Sequence, residues 1–139
     1  MKIIKLIQLF IVFTLLASGC DKDPLTGEIY STSDAEKGDK INGTWKHTPT
    51  SSSYLISDVS STQSGSGTVA ATGSAFPPGA LNGPALSKVT YGKGLYWEAL
   101  SHTYYPSSGW TTSYTIIGIN MASDFKTFKI GTATYTKQP

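Results

Sequence analysis

Apolar positions fall along this chain in two different rhythms. Near the start, residues 6–17 form one mainly apolar run, interrupted only by Gln8 and Thr14, behind Lys2 and Lys5. From residue 41 onward no window carries apolar residues at helical spacing. Apolar and polar positions there alternate in short runs bounded by turn residues, the period of a strand with one face buried. Runs of this kind occupy 41–47, 54–60, 68–72, 87–91, 95–105, 110–121, 127–130 and 133–137, which predicts seven or eight strands. Hairpin turns fall at Gly92 and Gly94 in "YGKGLYW", at 106–109 in "YPSSGW" and at 123–126 in "ASDFK". The segment "GSAFPPGALNGPAL" has three prolines and three glycines that keep it out of a sheet interior, and "SGSGT" at 64–68 reads as a loop tip. Sequential hairpins with no room for crossover helices predict an all-β fold. The expected form is a small antiparallel meander barrel, with a β-sandwich as the alternative.

The apolar run at 6–17 is too short to cross a hydrocarbon core, which needs about 20 helical residues, and with its cationic start it reads as a signal peptide over 1–19. Ala17, Ser18 and Gly19 lead directly into Cys20, the only cysteine of the chain. This junction resembles the lipobox of bacterial lipoproteins, with Ala17 at the place where that family usually has leucine. The resemblance implies that Cys20 is acylated with palmitate-type chains and becomes the new N-terminus. It also implies that the protein is lipid-anchored to the bacterial cell envelope, at the outer membrane. Several chains hold a protein firmly where one is marginal, at about 0.8 kcal/mol per buried methylene. An acylated Cys20 leaves no thiol for a disulfide, a metal site or a nucleophile.

Composition then divides the remainder. Residues 20–40 comprise the cysteine and a stretch holding six of the nine acidic residues, with few large apolar groups. Such a stretch buries too little surface to offset its ordering entropy and reads as a flexible acidic tether. Asp21 and Asp23, directly after the cysteine, are similar to the export signals of surface lipoproteins. Residues 41–139 form one β domain of modest core. Its six lysines against three carboxylates leave a charge of +3, scattered rather than gathered into a stripe, so no nucleic-acid partner is expected.

"INGTWKH" contains Gly43-Thr44-Trp45. This resembles the Gly-x-Trp that opens the first strand of lipocalins and avidins, where the tryptophan plugs one end of a barrel. The ending "DFKTFKIGTATYTKQP" is similar to the last hairpin of such barrels, which closes against the first strand. The family's basic residue that packs on the tryptophan has one counterpart near the C-terminal strand, Lys137. The resemblance implies a lipocalin-like barrel and carries no ligand with it.

Catalytic chemistry is poorly provided for. The carboxylates of the domain are Asp58, Glu98 and Asp124, and Asp124 lies in a turn signal where its side chain caps backbone. His47 and His102 have no third ligand at metal-site spacing, and there is no Gly-x-Ser-x-Gly elbow. No enzyme, no metal and no cofactor are expected. What remains is binding. Aromatic density peaks at 96–114, where alternation puts Tyr96, Glu98, Leu100, His102 and Tyr104 on one face and Trp97, Ala99, Ser101, Thr103 and Tyr105 on the other. Both faces carry bulk. Tyr104, Tyr105 and Trp110 flank a turn rich in Pro, Ser and Gly and are the candidate ligand-binding residues. Two functions follow. The barrel holds a small apolar or amphipathic ligand in a void lined by Val69, Val89, Leu95 and Ile117, or it has a filled core and works as a surface interaction or glycan-binding module. Oligomeric state is left open.

Overall fold

The computed structural model describes residues 34–139. The signal-peptide and Cys20 readings lie outside the described residues. Eight strands follow one another: β1 (Gly43–His47), β2 (Ser52–Ser57), β3 (Gly65–Ala71), β4 (Pro84–Lys93), β5 (Tyr96–Tyr105), β6 (Gly109–Met121), β7 (Thr127–Ile130) and β8 (Ala133–Lys137). Each pairs antiparallel with its sequence neighbour, and β8 returns to β1 through Trp45 opposite Lys137 and Lys46 opposite Thr136. The result is a closed up-and-down barrel rather than the sandwich alternative, because every connection is a hairpin and none switches sheets. The turn after β6 forms as its sequence predicts, with the Lys126 N–H donating to Asp124 Oδ1 at 2.9 Å.

Two local readings change. Residues 64–68 are mostly strand, not a loop tip. Their glycines answer to crowding: a Cβ on Gly65 would collide with the Ser57 carbonyl, and one on Gly67 would press on Leu86. The acidic stretch also folds sooner than composition suggests. A single helical turn, α1 (Asp34–Lys37), and a 3-10 turn (Gly38–Ile41) precede β1, with Gly38 and Ile41 buried. Residues 34–40 therefore belong with the barrel, because it supplies partners for backbone that would otherwise stay solvated.

Those partners are specific. The carbonyls of a helical turn's last residues have no intrahelical donor. Here Gly38 O accepts the Trp97 Nε1–H at 3.1 Å, Lys40 O accepts Lys137 Nζ at 2.9 Å, and Ile41 O accepts the Trp45 Nε1–H at 2.6 Å. Three side chains from β1, β5 and β8 thus converge on one turn and close that end of the barrel. Lys137 also sets its ammonium 5.2 Å from the centre of the Trp45 ring, the basic-residue-on-tryptophan contact that the lipocalin-like ending implies. Burial there holds the Lys137 pKa below its usual value, with the Lys40 charge adding to the effect. Beside this plug, the Asn42 side chain donates to Val59 O and accepts from Val59 N–H, fixing the strand exit after β2.

From the plug a row of rings runs up the barrel. Trp45 meets Phe128 at 4.6 Å, Phe128 stacks on Tyr135 at 5.0 Å, Tyr135 meets Tyr54 at 5.4 Å, and Tyr54 meets Phe76 at 5.9 Å. Trp45, Trp97, Phe128, Val69, Val89 and Ile119 are fully buried around it. Burial, and after it the neighbouring Tyr135, pushes the Tyr54 phenol far above its ordinary pKa; burial raises Tyr135 as well, its bond to Tyr54 pulling partly the other way.

Candidate functional site

The strands are unequal in length, and that inequality makes the site. β5 and β6 form a hairpin of ten and thirteen residues, whereas β7 has four and pairs with β6 only at Ile119, Asn120 and Met121. The tip of the β5–β6 hairpin therefore stands beyond the shelter of β7. Burial resolves which face of β5 is inside at its start, where Trp97 and Ala99 are buried; Ser101, Thr103 and Tyr105 follow at the same alternation toward the tip, where Thr103 and Tyr105 are exposed. On β6 the buried Ile119 and Met121 place Thr111, Ser113 and Thr115 on the same side. Along both strands this face turns from apolar to hydroxyl-bearing where the neighbouring strand stops.

A groove of about 300 Å³ lies there, lined by Ser101, Thr103, Tyr105, Thr111, Ser113, Tyr114 and Thr115. None of these side chains carries a formal charge. Local geometry is set by an irregular register: His102 faces Tyr114 and Tyr104 faces Trp110, so β6 uses two more residues than β5 over the same stretch. The extra length is tied internally. Thr111 Oγ1 accepts the Thr103 N–H at 3.2 Å and donates to Ser113 O at 2.9 Å.

His102 is fixed by the same irregularity. Its Nδ1 lies 3.1 Å from the Thr111 carbonyl, which can only accept, so Nδ1 carries the proton and Nε2 accepts the Ser87 hydroxyl at 2.7 Å. A serine hydroxyl on an oriented histidine resembles an activated nucleophile, but neither Ser87 nor His102 lines the groove, and here the bond ties β4 to β5 just where their register slips, between Ser87 and Thr90.

The three candidate ligand residues separate. Tyr104 and Trp110 meet edge to face at 5.4 Å, and Trp110 lies 6.4 Å from Phe76, so this pair extends the ring row out of the barrel. Both pack on the 72–83 connection: a Cβ on Gly79 would collide with the Tyr104 hydroxyl, and one on Gly83 with Trp110 Nε1. Trp110 Nε1 is buried there with no hydrogen-bond partner among the described residues. Tyr105 is 51 % exposed and borders the groove. Tyr114, 58 % exposed, also lines it, with its ring edge-on to His102 at 6.3 Å. The sequence reading did not single out Tyr114 or the β6 hydroxyls, although the alternation of Ser101, Thr103 and Tyr105 behind Trp97 and Ala99 carried the signal. No protein-family model, curated protein or solved structure matches this chain.

Proposed function

We propose that this chain is a lipid-anchored envelope protein, held through acylated Cys20, whose barrel presents the β5–β6 groove to a neutral glycan and performs no chemistry of its own. The groove carries the reading: hydroxyls of Ser101, Thr103, Thr111, Ser113 and Thr115 beside the exposed Tyr105 ring, with no charge among them. A sugar offers an apolar ring face to stack on a tyrosine and hydroxyls to exchange hydrogen bonds with serine and threonine, so its surface complements both halves of this lining. The other occupant, a small apolar molecule inside the barrel, needs room among Val69, Val89, Leu95 and Ile117. Val69 and Val89 are fully buried, and Leu95 and Ile117 pack against the same core, which supports a filled barrel that binds at its rim. Tyr104 and Trp110 then serve to hold the 72–83 connection beside the groove.

A glycan array on the wild type and on Tyr105→Ala tests the site. Loss of the ring is expected to weaken binding by about 30-fold, the equivalent of roughly 2 kcal/mol for an aromatic anchor. Stability should move by no more than about 0.5 kcal/mol, as for surface substitutions generally. Equal binding by both proteins would dismiss the groove. For the anchor, Cys20→Ala is expected to shift the protein from the membrane pellet to the soluble fraction. Continued pelleting would mean that something other than acyl chains holds it.

A further inference from the structure

The same hairpin that forms the groove also leaves a strand edge unpaired. Among the described residues, β6 pairs with β5 along its length but with β7 only from Ile119 onward. Residues 109–118 therefore present one row of backbone groups to no neighbouring strand, over roughly 30 Å at about 3.3 Å per residue. Thr112, Ser113, Tyr114, Thr115 and Ile116 are exposed in unbroken succession, on both faces of the strand. Proteins ordinarily blunt such an edge with lysine, proline or a very short strand. This one reads "GWTTSYTIIG": no charge, no proline, and mostly β-branched or aromatic residues.

We propose that this edge pairs antiparallel with the same edge of a second copy of the chain, joining the two hairpins into one continuous sheet in the order β5, β6, β6, β5. Three observations select a second copy over any other occupant. The edge is uncharged, so two copies meet without repulsion. A two-fold axis perpendicular to the sheet keeps equivalent faces on the same side. Centred on Thr115, it sets Tyr114 of one copy opposite Ile116 of the other, an aromatic on a β-branched residue. Ile116, 61 % exposed, thereby gains a contact that its own barrel does not provide. Finally, the remaining described strands are paired on both sides in the closed barrel, so the pairing uses up the one long free edge among the described residues and stops at a dimer instead of growing into a fibre. The two grooves then lie on one shared sheet face.

The test is the mass of the full chain in detergent with reductant present, by sedimentation equilibrium, with no ligand added, so its outcome is independent of the glycan reading. Wild type is expected at twice the chain mass. Ile116→Lys, which charges the edge at an exposed position, is expected at the single-chain mass with the wild-type β-sheet spectrum and a melting temperature that no longer rises with protein concentration. A wild-type monomer at the highest soluble concentration would overturn the proposal, as would a dimer that survives Ile116→Lys. Should that variant fail to fold, Thr115→Cys in a Cys20→Ser background decides. A short bismaleimide should link Thr115→Cys into dimers and leave the exposed Lys129→Cys control unlinked; no linkage at 115, or equal linkage at both, would overturn it.

Discussion

Trp45→Ala is expected to destabilise the domain by about 3 to 5 kcal/mol, the range for removing a large aromatic from a core. That is a large share of the roughly 5 to 15 kcal/mol a domain of this kind commands. The indole is fully buried, packs on Phe128 and lies under the Lys137 ammonium. Its removal opens a cavity at the end of the ring row and takes the donor from the Ile41 carbonyl at the same time. Trp45→Phe separates the two effects, since it keeps most of the volume and loses the N–H; a cost of about 1 to 3 kcal/mol is expected from the orphaned carbonyl. Urea melts of the three proteins measure both. An alanine variant within about 1 kcal/mol of wild type would mean that the ring is not the plug.

Trp97→Ala is expected to cost a similar 3 to 5 kcal/mol, roughly, and to loosen the start of the turn that Trp45 holds at its end. Trp97 is buried on β5 against Tyr91, and its indole N–H reaches the Gly38 carbonyl, 59 positions away in the chain. That bond and the burial of Gly38 hold the 3-10 turn against the barrel. A Cβ on Gly38 would collide with the Ser60–Ser61 backbone, so the turn fits at this place only as glycine. Without Trp97 the segment should open locally before the barrel unfolds. Limited trypsin digestion under native conditions is the measurement: cleavage after Lys37 and Lys40 should speed up relative to cleavage at the strand lysines. Digestion that accelerates equally everywhere would show that Trp97 supports the whole barrel without a particular hold on the turn.

The amino-acid sequence by itself determined the all-β class and the order of the strands and brought their number to seven or eight; closure into a barrel of eight came with the pairing of β8 on β1. Alternating apolar positions and turn residues act over a few neighbours, and hairpins leave little freedom once each strand is followed by a tight turn. The 127–130 and 133–137 readings coincide with β7 and β8, and 110–121 falls one residue short of β6. The tryptophan plug was legible too, since Gly43-Thr44-Trp45 opens β1 and the Trp45 ring is buried at the barrel's end. Three things needed the tertiary structure. Which face of β5 lies inside was undecidable from alternation, because Tyr96 and Leu100 on one face are as bulky as Trp97 on the other; curvature of the closed sheet settled it by burying Trp97 and Ala99. The fold of 34–40 depends on donors from Trp45, Trp97 and Lys137, and no local propensity announces a partner up to 97 positions away. The groove and the free edge of β6 arise from a mismatch between a thirteen-residue strand and a four-residue neighbour. Strand lengths were readable one at a time, but which residues fall beyond the last paired position is a property of register, and register exists only between strands.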